Sequence, residues 1–418
     1  MDHNFYIKTR KKYLDKVKEN TISIFHSGKI FPKSGDQDFD FVVEKNFYYL
    51  TGINQAEVIL VLIKHKNSYD EILFVEENDP LYVKWYGAKL TKEEATKISG
   101  IETVKYLNTF TKTIYSLFNN TRASGLCYRE IYLNLERRDD HNYSNWALDY
   151  ANEFKIKYPE IIINNSYNIV VQLRGTKEPE EIEKIKASIA ITKTGIEGLM
   201  KRSKAGLFEY QLESYFDQHI KYHGQKQKSF KTIAATGVNA TILHYVFNNT
   251  KLQDGELVLF DLGCCTDYYV SDITRTFPVD GKFSKRQAEV YQEVLAVNKK
   301  CIAFLKAGIT WKEYHEFARG LIIEACKRLG LITEDKEVIN YYWHGIGHSI
   351  GLDTHDPILY NEPLQAGTVL TVEPGIYISE EKIGIRIEDN VVITEEGCIN
   401  LSQDIIKEIK DIEEFMKK

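Results

Sequence analysis

The sequence predicts a chain in two parts, an α/β unit followed by an α+β domain. Three observations carry that reading. Up to Arg174, short apolar strand candidates alternate with helical patterns; at that point a long amphipathic pattern opens; beyond it helices and strands come in grouped blocks. Alternation argues for α/β layering, and grouped blocks argue for helices set against a largely antiparallel sheet. At 418 residues, a division by roughly 150 residues per domain allows two or three units, so a sizeable core is possible.

In the first unit the segments are TISIFHS, the VILVLIK run and EILFVEEN, then helical TKEEATKI and later IIINNSYNIVVQLR. The second unit opens on GTKEPEEIEKIKASIAITKTGIEGLMK. There Pro179 suits a first helical turn, acids surround it, and Ile182, Ile185, Ile189, Ile196 and Leu199 recur at helical spacing. Capping boxes at Ser284 with Gln287 and at Thr310 with Glu313 start two further helices. Gly308 and Gly330 stand where those helices should stop. LVLFDLG, DYYVSDITRTF, TVLTVEPGIYI and GIRIEDNVVIT are strand candidates, rich in β-branched and aromatic residues and bounded by Gly, Pro or Asp.

Composition narrows the function classes. Hydrophobic residues make up 43% and charged residues 27%, with 25 Gly and 8 Pro, a balance that excludes collagen-like and disordered chains. The net charge of −6 lacks the basic footprint of a nucleic-acid binder. The one basic cluster, KTRKK from Lys8 to Lys12, reads as a solvated helix start. Val58 to Ile63 is the longest aliphatic run, six residues against the roughly 20 of a membrane span, so no membrane partner is expected. No apolar stretch follows the basic N-terminal residues as a secretory signal requires, and the expected location is the cytoplasm. Cys127, Cys264, Cys265, Cys301, Cys326 and Cys398 are scattered without a CxxC, which fits reduced thiols in a large core.

The chemistry lies in acids and histidines within or beside apolar strands. Asp261 follows LVLF and Asp272 follows YVS, eleven residues on; Glu373 in TVEPG and Glu388 in GIRIEDN repeat the pattern of an acid after β-branched residues. A carboxylate among apolar strand residues needs pairing, hydrogen bonds or a metal. WHGIGHSIGLDTHDP holds His344, His348 and His355, three of the chain's eleven histidines, between glycines that permit close backbone approach. Asp261, Asp272, His348, Glu373 and Glu388 make four carboxylates and one imidazole. Converging, such acids would repel one another without cations, and two divalent ions would balance four charges with four. The oxygen-rich set suits Mn or a similar hard ion, with Zn or Co as alternatives, and two ions about 3.5 Å apart form a hydrolytic site.

VNATILHY, LFDLGCCTDYYVSDITRTF, HGIGHSIGLDTHD, TVEPGIY and GIRIEDN, in this order, resemble the "pita-bread" metallopeptidase family that includes Xaa-Pro aminopeptidase, prolidase and methionine aminopeptidase. QDFDFVVEKNFYYLTGINQAEVILVLI is similar to the accessory domain of the aminopeptidase P type. The resemblance implies an accessory α/β domain over residues 1–174 and a catalytic pita-bread domain over 175–418. It makes Asp261, Asp272, His348, Glu373 and Glu388 the ligands of two divalent ions, with Asp272 and Glu388 bridging them. It further implies that Glu373 takes the proton of an attacking bridging hydroxide, and that His244 and His355 bind substrate and stabilise the tetrahedral intermediate. His344 would line the proline pocket, Arg386 would orient the site, and Trp85 in YVKWYG would reach a neighbouring subunit's site.

The implied substrate is a peptide with Xaa-Pro at its N-terminus, the implied assembly a homodimer or homotetramer. Prolidase activity on Xaa-Pro dipeptides is the nearest alternative, and a non-catalytic pita-bread binding protein a further one. Cys264 and Cys265 depart from the small or polar residues usual after the first ligand, and read as two buried small residues.

Overall fold

A computed structural model describes residues 1–119, 128–138 and 143–417, which places Cys127 outside the described residues. The chain divides into two compact units, Met1–Leu173 and Arg174–Lys418.

All six residues of Thr21–His26 are buried, and this strand lies inside the six-stranded sheet of the first unit. It pairs antiparallel with Ile59–Lys64, in register Thr21↔Lys64, and parallel with Glu130–Leu133, in register Thr21↔Glu130. Tyr69–Val75 and Val104–Tyr106 extend one side and Ile162–Asn165 the other. Ile22, Ile24, Val61, Phe74, Ile131 and Leu133 fill the core beneath. The segment IIINNSYNIVVQLR divides into that last strand and the helix Tyr167–Gly175. The break is local: the Asn165 side chain accepts the Tyr167 N–H at 2.9 Å, an Asx turn that starts the helix.

The basic cluster departs from expectation. It lies within the helix His3–Lys16, and Lys8 and Lys11 are exposed, but Arg10 is wholly buried. Its guanidinium donates to both Glu71 oxygens at 2.9 and 3.0 Å and to the Leu50 and Ser99 carbonyls at 2.9 Å each. A planar fork can satisfy a carboxylate and two carbonyls together, so burying it is tolerable where burying a lysine would not be.

In the second unit the long helix is Pro179–Arg202, with Ile185, Ile189, Ile196 and Leu199 buried. Both capping boxes form, ahead of Lys285–Phe304 and Trp311–Arg328, and Gly330 takes φ 72° just beyond the second helix. The sheets are small and antiparallel. Leu257–Leu262 lies between Ile233–Thr236 and Ile273–Pro278; Asp389–Ile393 lies between Val369–Val372 and Cys398–Asn400; Gly375–Ile378 pairs with Ile383–Arg386. Among the described residues no helix is long and apolar enough to cross a membrane, and Cys264, Cys265, Cys301, Cys326 and Cys398 are free thiols.

Candidate metal centre

Strand registers bring the acids together. Asp261 sits opposite Thr274, two residues beyond Asp272, which lies in the short interruption between the strands Tyr269–Val270 and Ile273–Pro278. Val372 pairs with Asp389, so the next step of the same antiparallel ladder sets Glu373 against Glu388. Asn390 clasps the Asp272 backbone, accepting its N–H at 3.1 Å and donating to its carbonyl at 2.6 Å.

His348 is delivered by a backbone exchange with Thr371: its N–H donates to the Thr371 hydroxyl at 3.0 Å and its carbonyl accepts the Thr371 N–H at 2.9 Å. Its Nδ1 faces the Ser349 carbonyl at 3.1 Å. Nε2 is thereby left as the lone-pair nitrogen, 3.5 Å from Asp272 Oδ2 and 3.7 Å from Glu373 Oε1. Asp272, His348 and Glu388 each offer a ligand atom, all within 4.8 Å of one another.

The electrostatics record the same convergence. Burial, with the charges of Asp261 and Glu373, raises the Asp272 carboxyl well above its ordinary pKa. Burial, with Asp272, Glu373 and Asp261, does the same to Glu388, and burial raises Glu373. Arg386, 3% exposed, is the cation against this cluster. It donates to Asp261 Oδ2 at 2.6 Å, to the Thr274 hydroxyl at 3.1 Å and to the Tyr377 hydroxyl at 3.0 Å. Thr274 in turn donates to Glu388 at 2.6 Å. One guanidinium cannot balance four carboxylates, and the other oxygen of Asp261, Oδ1, is buried without a hydrogen-bond partner. An oxygen-rich donor set with an orphaned buried carboxylate oxygen fits divalent cations.

The histidines take distinct places. Tyr377 donates its hydroxyl proton to His344 Nε2 at 2.9 Å, and His344 Nδ1 donates to the Gly345 carbonyl at 2.7 Å. Burial and Arg386 push the His344 pKa down to about 3, so the ring is neutral. His355 stacks on His348, ring centroids 3.8 Å apart. Partial desolvation, with His348 and His244 nearby, lowers its pKa to about 4. His244 is exposed and lies near enough to both other rings to couple to them electrostatically. Trp85 belongs to the first unit, on the helix Pro80–Tyr86, and is 75% exposed.

Sequence reasoning passed over Thr274, Thr371, Tyr377 and Asn390. Their only local signal is adjacency to the acids, because each acts through a partner distant in the chain. Cys264 is buried, with its thiol pushed up to about 12 by burial and by Cys265, while Cys265 is only partly buried.

A mixed sheet unit followed by small antiparallel sheets converging four acids and a histidine defines a pita-bread metallohydrolase. Residues 183–395 match metallopeptidase family M24, and residues 6–126 match the N-terminal domain of aminopeptidase P. The chain belongs to metallopeptidase family M24, whose members are hydrolases that use divalent metals. It is 33% identical to the Xaa-Pro aminopeptidase of Haemophilus influenzae, over 92% of this chain and 90% of that protein. A Bacillus anthracis structure, provisionally named an aminopeptidase P, is 43% identical with TM-score 0.97, covering 100% of this chain and 98% of that one. Zinc-substituted Escherichia coli aminopeptidase P in complex with product is 28% identical with TM-score 0.89, at the same coverage.

Proposed function

We propose that this protein is an aminopeptidase that releases the N-terminal residue from peptides with proline in second position, using two divalent ions, Mn first among them. The observation that carries the reading is the convergence of Asp261, Asp272, Glu373 and Glu388 with His348 around a single guanidinium, with Asp261 Oδ1 left unpartnered. The names of the relatives supply the substrate class.

Asp261, Asp272, His348, Glu373 and Glu388 would hold the ions. When bound, divalent cations neutralise the acids, acidify water and polarise a carbonyl. The chain's own groups do the rest. Glu373, its proton affinity raised by burial, accepts the nucleophile's proton and returns it to the departing proline nitrogen. His355 is neutral near pH 7, and with His244 it offers an N–H to the developing oxyanion. His344 lines the proline site as a neutral ring held by Tyr377, and Arg386 fixes the rotamer of Asp261. Proline's tertiary amide and ring require such a shaped site. Trp85 presents its indole to solvent, the state that contact with another subunit requires.

The test is metal analysis coupled to a two-substrate assay. Mn-loaded protein should cleave an Xaa-Pro-Pro tripeptide. Turnover of the Xaa-Pro dipeptide alone would make it a prolidase, and turnover of neither would overturn the catalytic reading.

A further inference from the structure

Glu209 is wholly buried at the first turn of the helix Glu209–Tyr222. A carboxylate at a helix start ordinarily caps its own N–H groups. Glu209 instead turns both oxygens onto a different segment. Oε1 accepts the Thr236 N–H at 2.8 Å and the Asn239 side-chain amide at 3.2 Å; Oε2 accepts the Tyr245 hydroxyl at 2.9 Å and the Thr250 N–H at 2.8 Å. The four donors that surround it are all neutral. A buried carboxylate held by donors alone is an expensive arrangement unless every donor is in place.

Those donors bracket residues 236–250, the stretch that carries His244. One turn further along the same helix face, Glu213 accepts the Asn248 side chain at 2.8 Å. Asn248, at φ 48°, also accepts the Ala234 N–H at 3.1 Å and donates to the Thr232 carbonyl at 2.9 Å. Gly384 leaves room for the Ala240 carbonyl, which a Cβ there would meet at 2.1 Å. Gly384 belongs to the strand Ile383–Arg386, so the His244 segment is seated against the strand that ends in the guanidinium facing Asp261.

We infer that Glu209 is a positioning residue for the reaction: its carboxylate fixes where the segment carrying His244 lies while contributing nothing to the ligand set. The inference rests on the aminopeptidase reading for its kinetic consequence only. Glu209→Gln keeps the volume but turns an NH2 toward two donors. Misplacement by about 1 Å at a reacting group costs on the order of a hundredfold in rate.

The experiment uses the full chain loaded with Mn. Glu209→Gln should lower kcat on an Xaa-Pro-Pro tripeptide by about ten- to a hundredfold, while Mn affinity by calorimetry stays within about twofold. In a His244→Ala background it should lower kcat no further. Tyr245→Phe, which removes one donor and keeps the ring, should show the same pattern more weakly and serves if Glu209→Gln does not fold. Hydrogen exchange should quicken over residues 237–247 and stay unchanged over Leu257–Leu262 and Ile383–Arg386. Additive loss with His244→Ala, or weakened Mn binding, would overturn the inference. If wild-type protein cleaves neither peptide, the aminopeptidase reading falls; unchanged exchange over 237–247 in both variants would by itself overturn the positioning role.

Discussion

Replacing Asp272 by Asn should change stability in opposite directions with and without metal. The side chain offers an oxygen within 4.8 Å of a Glu388 oxygen. At that separation and an effective dielectric of about 20, two like charges repel by about 3 kcal/mol. Asp261 and Glu373 add to the repulsion, burial acts in the same direction, and Arg386 offsets part of it. Arg386 and proton uptake by the metal-free wild type offset these additions, so the neutral variant should be more stable at about pH 8 by on the order of 3 kcal/mol. A divalent ion at one hundred times its Kd stabilises the native state by about 2.7 kcal/mol per site. Asn supplies a poorer ligand and forfeits most of that. Urea titration of EDTA-treated and Mn-loaded proteins, followed by circular dichroism, measures both. The wild type should have the higher midpoint with Mn and the variant the higher midpoint without it. A variant less stable in both conditions, or stabilised by Mn as much as the wild type, would refute the argument.

Other consequences follow from buried charges and close approaches. Arg275, wholly buried, donates to the Glu388 carbonyl at 2.6 Å and to Asp389 at 2.8 Å. Arg275→Met should therefore cost about 3 kcal/mol in urea, because the Glu388 carbonyl and buried Asp389 each lose a charged donor while Lys407 still pairs with the other Asp389 oxygen. Asp389 is held down to about 2 by Arg275 and Lys407 despite burial, so its contribution is present above its unfolded pKa of about 3.9 and is lost as pH falls through about 2. Glu181 has the opposite sign: burial lifts it from 4.5 to about 7, so the stability it contributes is present below 4.5 and lost as pH rises through about 7. That gap corresponds to about 3 kcal/mol, and Glu181→Gln should flatten the pH dependence of the urea midpoint between those limits. A Cβ on Gly347 would lie 2.1 Å from the Thr371 carbonyl, so Gly347→Ala should displace His348 and lower bound Mn, read by elemental analysis. Unchanged metal content would contradict the placement of His348 through Thr371.

Much of the site was legible because its chemistry conflicts with its surroundings. Acids after LVLF, YVS, TV and GIRI are costly to bury, and that local conflict marks each of them without any knowledge of the fold. Helix starts were equally plain, since a capping box is a contact between residues three apart. The KTRKK cluster shows where such reasoning stops. Nothing near Arg10 in the chain distinguishes it from Lys8 or Lys11, and its partners are Glu71, Leu50 and Ser99. The single segment IIINNSYNIVVQLR likewise became strand and helix through one Asx turn at Asn165.

By itself the sequence determined which residues carry charge into an apolar setting, where the long helices begin and what class of site the acids imply, because these depend on residue type and spacing along the chain. Tertiary structure alone decided that Arg386 reaches Asp261 and Tyr377, that Asn390 grips Asp272, and that Glu209 holds the His244 segment. The physical reason is the range of the interactions. A hydrogen bond selects its partner over about 3 Å of space, and strand register, which sets Glu373 against Glu388, is a property of two strands and is written in neither one.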